Sequence, residues 1–594
     1  MNSAKGLGAA VVVLLAASAV CGQEQADAVF KAMRDELDRT TRQLQLQTMQ
    51  KPYFIAYRID DFSNTSVSAT LGSITESNPM NSRIIGVEVR VGDYALDNSN
   101  YLSMATFSGG FGGMFSGVAQ GALDDNYQEI RRQLWLATDA QYKRAVEDLS
   151  AKKAVLQNRK RSEDLPDFSK EQPARLSEAR TELKTEVGSL EQLARQVSLP
   201  FRDMPDVLAS SVQLQVRNIY TRYINSEGST FTRSQPMLKL EIQAETQASD
   251  GLPVHDSVSF YGRSLDDFPA KDKLLDEARQ MGRRLQQLRQ AASIERYNGP
   301  VLFEDQAAAE IFAQAFAPGL VAARRPTTED PRFEMFFDQM LAQFGGGSNL
   351  LDRIGGRVLP DFVDLLDDPR LQNYQGAKLA GSYNIDDDAV PSRENRLVEK
   401  GILKTLLVSR VPVRSILHST GSRRGPGAVP SNLILQAAKA SSNEELRQEL
   451  LRRAKARGLD YGIVVRRVGG GGLNGLMRAA AMMASSPQGA PPNALLEAYK
   501  VFPDGRQEPL RGMELNEMTA ASFRDILAAG DKSFVYNAQF MPKFNSIFSM
   551  GMAGTFDLPV VSFVVPSLLF EEVTMTRANG PFPAPPKSKA PLFE

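Results

Sequence analysis

Segments in which apolar and polar residues alternate recur along much of this chain, and they constrain its fold more than any other feature. Alternation brings every second side chain to the same face of a β-strand, so each segment predicts a strand with one buried face. Three such segments lie close together at residues 54–59, 66–74 and 83–91. They predict an N-terminal β-sheet that is covered on one face.

Helical patterns accompany these strands. Val29, Met33 and Leu37 have the spacing of an amphipathic helix within residues 25–50. A longer pattern, from about residue 124 to residue 160, predicts a long helix. Strands and helices in the same region are typical of an α/β domain.

A hairpin and a further helix complete the N-terminal half. Residues 212–234 alternate around a turn at Glu227 and Gly228, which predicts a β-hairpin. A charged, proline-containing segment near 161–180 predicts a linker or a surface excursion. The charged amphipathic pattern at 271–291 predicts the last helix of this half.

Strand patterns outnumber helical patterns from Gly299 onwards. They span residues 378–385, 396–410, 432–437, 460–468, 495–503, 533–540 and 560–577. Many strands with few helices between them predict an antiparallel domain that resembles a barrel or a sandwich. At 594 residues the chain is longer than one ordinary domain. We therefore predict an α+β protein, with an N-terminal α/β domain containing a long helix at 23–295 and a β-rich C-terminal domain at 296–577.

Residues 578–594 form a proline-rich tail. Proline removes backbone donors and fixes the chain direction, so this segment is predicted to lie extended on a surface rather than to pack as a helix or strand.

The charge balance argues against a nucleic-acid ligand. The chain has 69 lysines and arginines against 70 acids, a formal net charge of −1. Proteins that bind DNA or RNA concentrate positive charge to neutralise phosphates. We expect no nucleic-acid partner.

Residues 1–22 have the features of a secretory signal peptide. A positive charge at Lys5 precedes an apolar stretch at 7–20, and small residues occupy positions 17–19. The stretch is too short and too weakly flanked for a membrane-spanning helix. The sequence therefore predicts export to the periplasm or cell envelope and no transmembrane segment.

Cys21, the only cysteine of the chain, lies beside the expected cleavage region. A lipid anchor on its thiol is the less favoured alternative, because Val20 stands where a small residue is expected before a lipidated cysteine. With a single thiol, the chain cannot form an internal disulfide or a thiolate-rich metal site.

Several segments together resemble one family, the TldD/PmbA group of metallopeptidase-related proteins. The matching segments are residues 224–229, 297–316, 385–410, 418–424, 499–512 and 564–573. The resemblance covers roughly Ile219 to Val573. It implies a two-domain architecture, a homo- or heterodimer in which a PmbA-like subunit pairs with a TldD-like one, and proteolysis of unfolded or extended peptides inside a closed cavity.

The family's zinc motif is incomplete in this chain. Active members carry His-Glu-x-x-x-His on the helix after the strand that corresponds to residues 299–304, and a cysteine near the C-terminus completes the site. Imidazoles and a thiolate hold Zn²⁺, and the glutamate takes a proton from its bound water. Here Ala309, Glu310 and Gln314 stand in those places, and residues 549–559 contain no cysteine.

Glu310 is thus the retained member of the motif. Without a metal, we expect it to be a helix residue paired with an arginine. The resemblance then predicts no metal or cofactor in this chain and zinc in an active partner. The histidines, at positions 255 and 418, are too far apart in the sequence to indicate a second site.

A site made of carboxylates alone is the alternative at Asp386, Asp387 and Asp388. Adjacent acids on a strand point alternately to opposite faces, so at most two of them converge. A polar turn between two strands is the preferred interpretation.

Residues His418, Arg423 and Arg424 are the candidates for substrate binding. They lie in a segment with a loop-like composition, and arginine donors suit a peptide carboxylate or backbone carbonyls. A structural role or a contact with a partner subunit remains the alternative for His418.

The resemblance and the incomplete zinc motif leave two candidate functions. The first is a non-catalytic subunit of a peptide-degrading metallopeptidase assembly, which contributes cavity walls and peptide binding. The second is an active exported peptidase of the same family with unrecognised site chemistry. No nucleophile and base stand at a spacing that supports the second.

Overall fold

The computed structural model describes residues 27–46, 49–103, 118–158, 164–330, 350–469, 494–516, 518–540 and 558–578, and the single positions 582 and 586. The signal segment with Cys21 and most of the proline-rich tail lie outside the described residues. Of the helices in these ranges, none has the length and hydropathy that crossing a bilayer requires.

The N-terminal half is built on one seven-stranded sheet. Its strands are ordered β4-β2-β1-β6-β7, and β5 and β8 both pair with β7. The strands of this half are β1 (Pro52–Thr70), β2 (Ser73–Val91), β3 (Tyr101–Leu102), β4 (Val118–Gly121), β5 (Arg175–Ser177), β6 (Ala209–Asn225), β7 (Thr230–Gln247) and β8 (Pro253–Gly262). β3 pairs instead with a short strand of the C-terminal half.

The predicted hairpin is confirmed as β6 and β7. Its turn needs a positive φ, which Gly228 supplies at +94°. The side-chain oxygen of Asn225 accepts the backbone N–H groups of Glu227 and Ser229, at 3.1 and 2.9 Å. These bonds fix the turn in the place that the alternation indicated.

Helices cover one face of this sheet. They are α1 (Ala28–Gln43), α2 (Tyr127–Asn158), α3 (Val187–Ser198) and α4 (Lys271–Gln290). α1 and α2 pack on the odd-numbered residues Ile55, Tyr57 and Ile59 of β1. α3 and α4 pack further along the same face, where Val67 lies. The alternation thus correctly predicted a sheet with one helix-covered face.

The opposite face of the sheet turns toward the C-terminal half. It is apolar at one end, where Phe54 and Ala56 pack with Ile385 and Ala389, and mostly polar further along. On β1 it carries Arg58, Ser66 and Ser68. Arg58 reaches Asp387 of the C-terminal half, with nitrogen and oxygen 3.0 Å apart. This face is therefore an internal surface of the protein.

The C-terminal half contains an eleven-stranded sheet with the order β15-β14-β11-β18-β24-β9-β19-β20-β21, and β22 and β23 also pair with β24. The strands of the C-terminal half, inside and outside this sheet, are β9 (Arg296–Phe303), β10 (Thr327–Thr328), β11 (Val363–Asp367), β12 (Asn373–Tyr374), β13 (Ala377–Lys378), β14 (Asn395–Glu399), β15 (Ile402–Leu403), β16 (Arg423–Arg424), β17 (Gly427–Ala428), β18 (Asn432–Ala437), β19 (Gly462–Val468), β20 (Leu495–Val501), β21 (Gln507–Leu510), β22 (Met513–Leu515), β23 (Ile526–Gln539) and β24 (Val560–Arg577). Its helices are α5 (Gln306–Ile311) and α6 (Asn443–Ala456).

This sheet is mixed and open. In the described residues β15 and β21 end the strand order and do not pair with each other, so the barrel alternative is wrong. β24 runs parallel to β18 and antiparallel to β9 and β23. Val301 and Phe303 face the main core, whereas Leu302 packs with α6 on the other side. Both faces of β9 are buried, which explains its continuous apolar sequence.

Two predicted strands are shorter than expected. Residues 378–385 contain strand only at their start, in β13, and the predicted strand 396–410 is a short hairpin of β14 and β15. Gly401 turns this hairpin with φ at +74°, and a Cβ there would lie 2.2 Å from the carbonyl oxygen of Leu359. The hairpin packs too closely on its neighbour for the strand to continue straight.

Candidate functional site

The helix that carries Glu310 contains an irregular turn. α5 continues into a π-helical turn at Phe312–Phe316, in which the backbone N–H of Ala317 donates to the carbonyl of Phe312. A π turn closes over five residues and often marks a functional position. Gln314 lies within this turn, whereas Ala309 and Glu310 lie in the regular part of α5.

Glu310 is buried, with 4% of its surface exposed. One carboxylate oxygen accepts from the Gln306 side-chain amide at 2.8 Å, and the other accepts the backbone N–H of Val468 at 2.6 Å. Burial raises the pKa of Glu310 to about 7, although these two bonds and the nearby Arg467 favour the charged form. The side chain is therefore anchored to α5 and to the end of β19.

The arginine partner expected for Glu310 belongs to another acid. Arg467 forms its ion pair with Asp256 of β8, with nitrogen and oxygen 3.2 Å apart, and donates to the carbonyl of Ser257. Arg284 of α4 also donates to Asp256, at 2.8 Å. Arg467 thus stabilises the contact between the two halves and acts on Glu310 through its charge.

Tyr536 connects the surroundings of Glu310 with the polar face of the N-terminal sheet. Burial and the carboxylate of Glu310 raise the pKa of its hydroxyl well above the usual range. Tyr261 and Glu241, on β8 and β7, act on the same hydroxyl.

Zinc of the family type does not fit at this helix. Ala309 presents a methyl group and Gln314 a neutral amide where imidazoles would be needed. His255 lies on β8 beside Glu245, with Nδ1 3.2 Å from the carboxylate. Both oxygens of Glu310 already accept hydrogen bonds. Among the described residues, no three side chains of His, Cys, Asp or Glu are grouped to hold a metal ion.

The three consecutive aspartates lie at a turn flanked by the bridge between Ile385 and Pro391, as predicted, and they are buried between the halves. Asp387 pairs with Arg233 at 2.5 Å and with Arg58 at 3.0 Å. Asp386 accepts the backbone N–H groups of Asp388 and two later residues. Arginines and amides already occupy these oxygens, so a cation site made of carboxylates does not form in this arrangement.

The adjacent Arg423 and Arg424 are both buried but have different surroundings. Arg423 pairs with Asp388 and lies 3.8 Å from Glu88 of β2. Arg424 instead donates to backbone carbonyls, including that of Val560 at 2.9 Å. Of the two substrate-binding candidates, Arg423 has a structural ion pair, and Arg424 lines a cavity.

His418 is separated from this pair. Its side chain is 73% exposed, and Nδ1 lies 3.5 Å from the carboxylate of Glu171. It does not line the cavity that contains Arg424. Its exposure suits a contact with another molecule, and that role stays a prediction.

A polar groove of about 500 Å³ runs along the sheet face between the two halves. We define the polar groove by the residues Ser66, Ser68, Gln213, Gln215, Lys239 and Glu241 of the sheet and by Gln539 and Leu558 of the C-terminal half. Lys239 and Glu241 form an ion pair at 2.7 Å. Hydroxyl and amide groups along neighbouring strands can donate to and accept from an extended peptide backbone.

Sequence reasoning missed this groove and the charged residues beside it. The signal was present, because Gln213, Gln215 and Arg217 alternate with apolar residues on β6. Alternation was interpreted as one buried and one solvated face. The second face is covered by a distant part of the chain, which a single sequence does not reveal.

Comparisons with known proteins agree with this architecture. The chain resembles a candidate modulator of a DNA gyrase from Thermotoga maritima, at 16% identity and a TM-score of 0.53 over 88% of this chain and 96% of that one. It resembles TldE from Thermococcus kodakarensis at 12% identity and a TM-score of 0.54, over 92% and 100% of the two chains. It also resembles a candidate DNA gyrase modulator from Bacteroides thetaiotaomicron, at 12% identity and a TM-score of 0.53, over 93% of this chain and 99% of that one. At these identities the likeness concerns the fold.

One part of the sequence matches a known domain family. No curated protein matches the chain significantly. Residues 296–487, however, match the family model of the PmbA/TldA metallopeptidase C-terminal domain. This match contains the helix of Glu310, the three aspartates and both buried arginines. Residues 296–487 of this chain are therefore similar to the PmbA/TldA metallopeptidase C-terminal domain, and the fold of the whole chain is similar to that of TldE.

Proposed function

We propose that this chain is an exported, non-catalytic subunit of a peptide-degrading metallopeptidase assembly. It pairs with a zinc-bearing, TldD-like subunit and binds unfolded or extended peptides. The observation that carries the proposal is the helix at Glu310: the fold and the glutamate are retained, whereas Ala309 and Gln314 offer no zinc ligand.

The polar groove supports the peptide-binding part. Its serines and glutamines lie on adjacent strands, so their polar groups repeat at the spacing of a peptide laid along the sheet. The absence of a large net charge on the chain suits peptides of varied sequence better than nucleic acid.

The alternative is hydrolysis by this chain itself. The observation in its favour is the pKa of Glu310, raised by burial to about 7, where a carboxyl group can exchange protons at neutral pH. Against it, both oxygens of Glu310 are engaged, and Gln306 and Val468 hold them away from solvent. The two functions predict different behaviour of the purified chain.

The test is metal analysis and proteolysis with the purified full-length chain. We expect less than roughly 0.1 equivalent of zinc after purification with zinc in the medium, since a site of the family type should bind it stoichiometrically. Denatured casein should stay intact. Stoichiometric zinc, or cleavage that a chelator stops, would overturn the non-catalytic proposal.

A second measurement addresses assembly and export. Affinity purification of the tagged full-length chain from the envelope fraction should recover a zinc-bearing relative, and the recovered complex should cleave casein. The matched control lacks residues 2–22 and should stay in the cytoplasm. Recovery of the chain alone, as a monomer, would contradict the assembly.

A further inference from the structure

A second cavity, of about 260 Å³, lies beside the polar groove. We call it the arginine cavity, because among the described residues that line it are Arg58, Arg217, Arg233, Arg263, Arg370 and Arg424. Arg217 of β6 also lines the polar groove. The two spaces therefore adjoin at this residue.

The acids in the wall do not balance these arginines. The described lining residues include two acids, Glu178 and Asp387. Asp387 is shared by Arg58 and Arg233, at 3.0 and 2.5 Å. Glu178 accepts a hydrogen bond from the side chain of Asn384 at 2.8 Å. Acids outside the wall also take part, because Arg58 pairs with Asp60 and Arg370 pairs with Asp368, at N–O distances of 2.8 and 2.9 Å. In the described part of the chain, Arg263 and Arg424 have no carboxylate within 4.0 Å, so they give the wall its positive charge.

Arg424 is the clearest case of a buried cation without a counterion. It is 7% exposed, and its terminal nitrogens donate to the carbonyls of Val560 and Pro430. In the described part of the chain, no carboxylate lies within 4.0 Å of these nitrogens, and Nε has no hydrogen-bond partner. Burial lowers the pKa of Arg424, since the surrounding groups compensate its charge incompletely.

Arg233 shows a second unsatisfied donor in the same wall. Its terminal nitrogens bind the carbonyl of Ile385 and the carboxylate of Asp387, but its buried Nε has no acceptor among the described residues. Unsatisfied donors of buried guanidinium groups are costly, and an anion bound in the cavity would offset the charge that is left uncompensated there.

We propose that the arginine cavity binds the C-terminal carboxylate of an extended peptide whose preceding residues lie in the polar groove. Guanidinium groups without a counterion attract a carboxylate by their charge and can donate charge-assisted hydrogen bonds to it. A cavity of this size holds about one residue, and it adjoins the groove at Arg217, so it suits the end of a chain. This inference rests on the proposed peptide binding and adds the group that is recognised.

The test compares three fluorescein-labelled octapeptides of one unstructured sequence, by fluorescence anisotropy with the full-length chain. The first has a free C-terminal carboxylate and the second a C-terminal amide. The third is amidated and has one internal serine replaced by aspartate, which restores the net charge of the first. We expect the first to bind at least about tenfold more tightly than the other two, the loss typical of a charged hydrogen-bond partner.

Two variants locate the preference. Arg263→Gln changes an exposed residue at the cavity, and Arg424→Lys keeps the charge but removes the planar fork. Each variant should reduce the preference for the free carboxylate over the amide to about threefold or less, and should change the affinity for the amidated peptide little. Arg506→Gln, at an exposed arginine outside both cavities, is the matched control and should keep the full preference.

The outcomes separate this inference from the proposed function. Equal binding of the free and amidated peptides, or an unchanged preference in both variants, would overturn the carboxylate site and leave peptide binding intact. Equal binding of the free peptide and the internal-aspartate peptide would also overturn it. If none of the peptides binds, the peptide-binding function fails as well. Displacement of the free peptide, but not the amide, by millimolar acetate would support the site.

Discussion

Glu310 and Val468 are joined by a hydrogen bond in which the backbone N–H of Val468 donates to the carboxylate at 2.6 Å. The bond connects the helix that bears the family's glutamate to the end of β19. Because the glutamate is buried, this contact is maintained at the cost of keeping an ionisable group away from water.

The first prediction concerns Glu310→Gln and pH. The folded pKa, about 7, lies above the ordinary value of 4.5, so the folded chain binds more protons between these values. Stability is then greatest below pH 4.5 and falls as the pH rises toward 7. Glutamine imitates the protonated form, so the variant should be more stable than wild type by roughly 3 kcal/mol at pH 8 and similar at pH 4.5.

Urea unfolding followed by circular dichroism from pH 4.5 to pH 8 measures this difference. Glu295→Gln is the control, because Glu295 has a largely exposed side chain. An equal effect of both substitutions at all pH values would show that burial of Glu310 does not control the titration.

The second prediction concerns Arg410, which joins the halves. Its guanidinium donates to the carbonyl of Ser169 and forms two hydrogen bonds to Glu227, at 2.6 and 2.8 Å. It also lies 3.9 Å from the centre of the Phe168 ring. Lysine keeps the charge but loses the paired bonds and the stacking, so Arg410→Lys should reduce the free energy of unfolding by roughly 2–3 kcal/mol.

Denaturant midpoints at pH 7 measure the loss. Arg414→Lys, a few residues away with a 69% exposed side chain, should change stability by less than about 0.5 kcal/mol. If both variants behave alike, the geometry of the Arg410 contact contributes nothing beyond charge.

The third prediction concerns Asp387→Asn. Burial alone would raise the pKa of Asp387, but the guanidinium groups of Arg58 and Arg233 hold it well below the ordinary 3.8. The carboxylate therefore stabilises the fold above pH 3.8, and this contribution is lost as the pH falls toward the folded pKa. At pH 7 the variant leaves two arginines without their anion and should lose about 3–5 kcal/mol.

Unfolding curves at pH 7, 5, 4 and 3 give the test. The difference in the free energy of unfolding between the variant and wild type should shrink below pH 4. The control is Asp504→Asn, at an exposed aspartate 3.8 Å from Arg506. A difference that grows on acidification would contradict the assigned direction of the pKa shift.

The fourth prediction concerns metal removal. Since the helix of Glu310 lacks imidazole and thiolate donors, an excess of EDTA should leave the melting temperature unchanged within about 1 °C, because a ligand that does not bind the folded chain cannot stabilise it. Differential scanning fluorimetry, with magnesium-saturated EDTA as the control, measures this. A lower melting temperature with free EDTA, but not with magnesium-saturated EDTA, would identify a bound metal.

The sequence predicted local elements better than their partners. The apolar run of β9 and the long strand β24 were both predicted, because continuous apolar segments need no knowledge of their neighbours. That the two strands pair, with Phe570 opposite Val301, depends on positions 269 residues apart. The pattern of apolar residues within either segment does not specify which strand it pairs with.

The candidate site illustrates the same limit. Glu310 was found through a motif, which is a local pattern. The aspartates at 386–388 were expected in a polar turn between two strands, and the turn is present, but their burial was not predicted. Their partners Arg58 and Arg233 come from strands more than 150 positions earlier. Buried charges are compensated by tertiary contacts, and these do not appear in the order of residues.

The ion pairs between the halves have a consequence for heating. Asp387 and Arg410 in one half bind Arg58 and Glu227 in the other, and all four groups are largely shielded from water. If either half unfolded first, the remaining half would keep buried charged groups that have lost their partners. We therefore expect the two sheets to unfold together, in a single calorimetric endotherm, although each has a large hydrophobic core of its own.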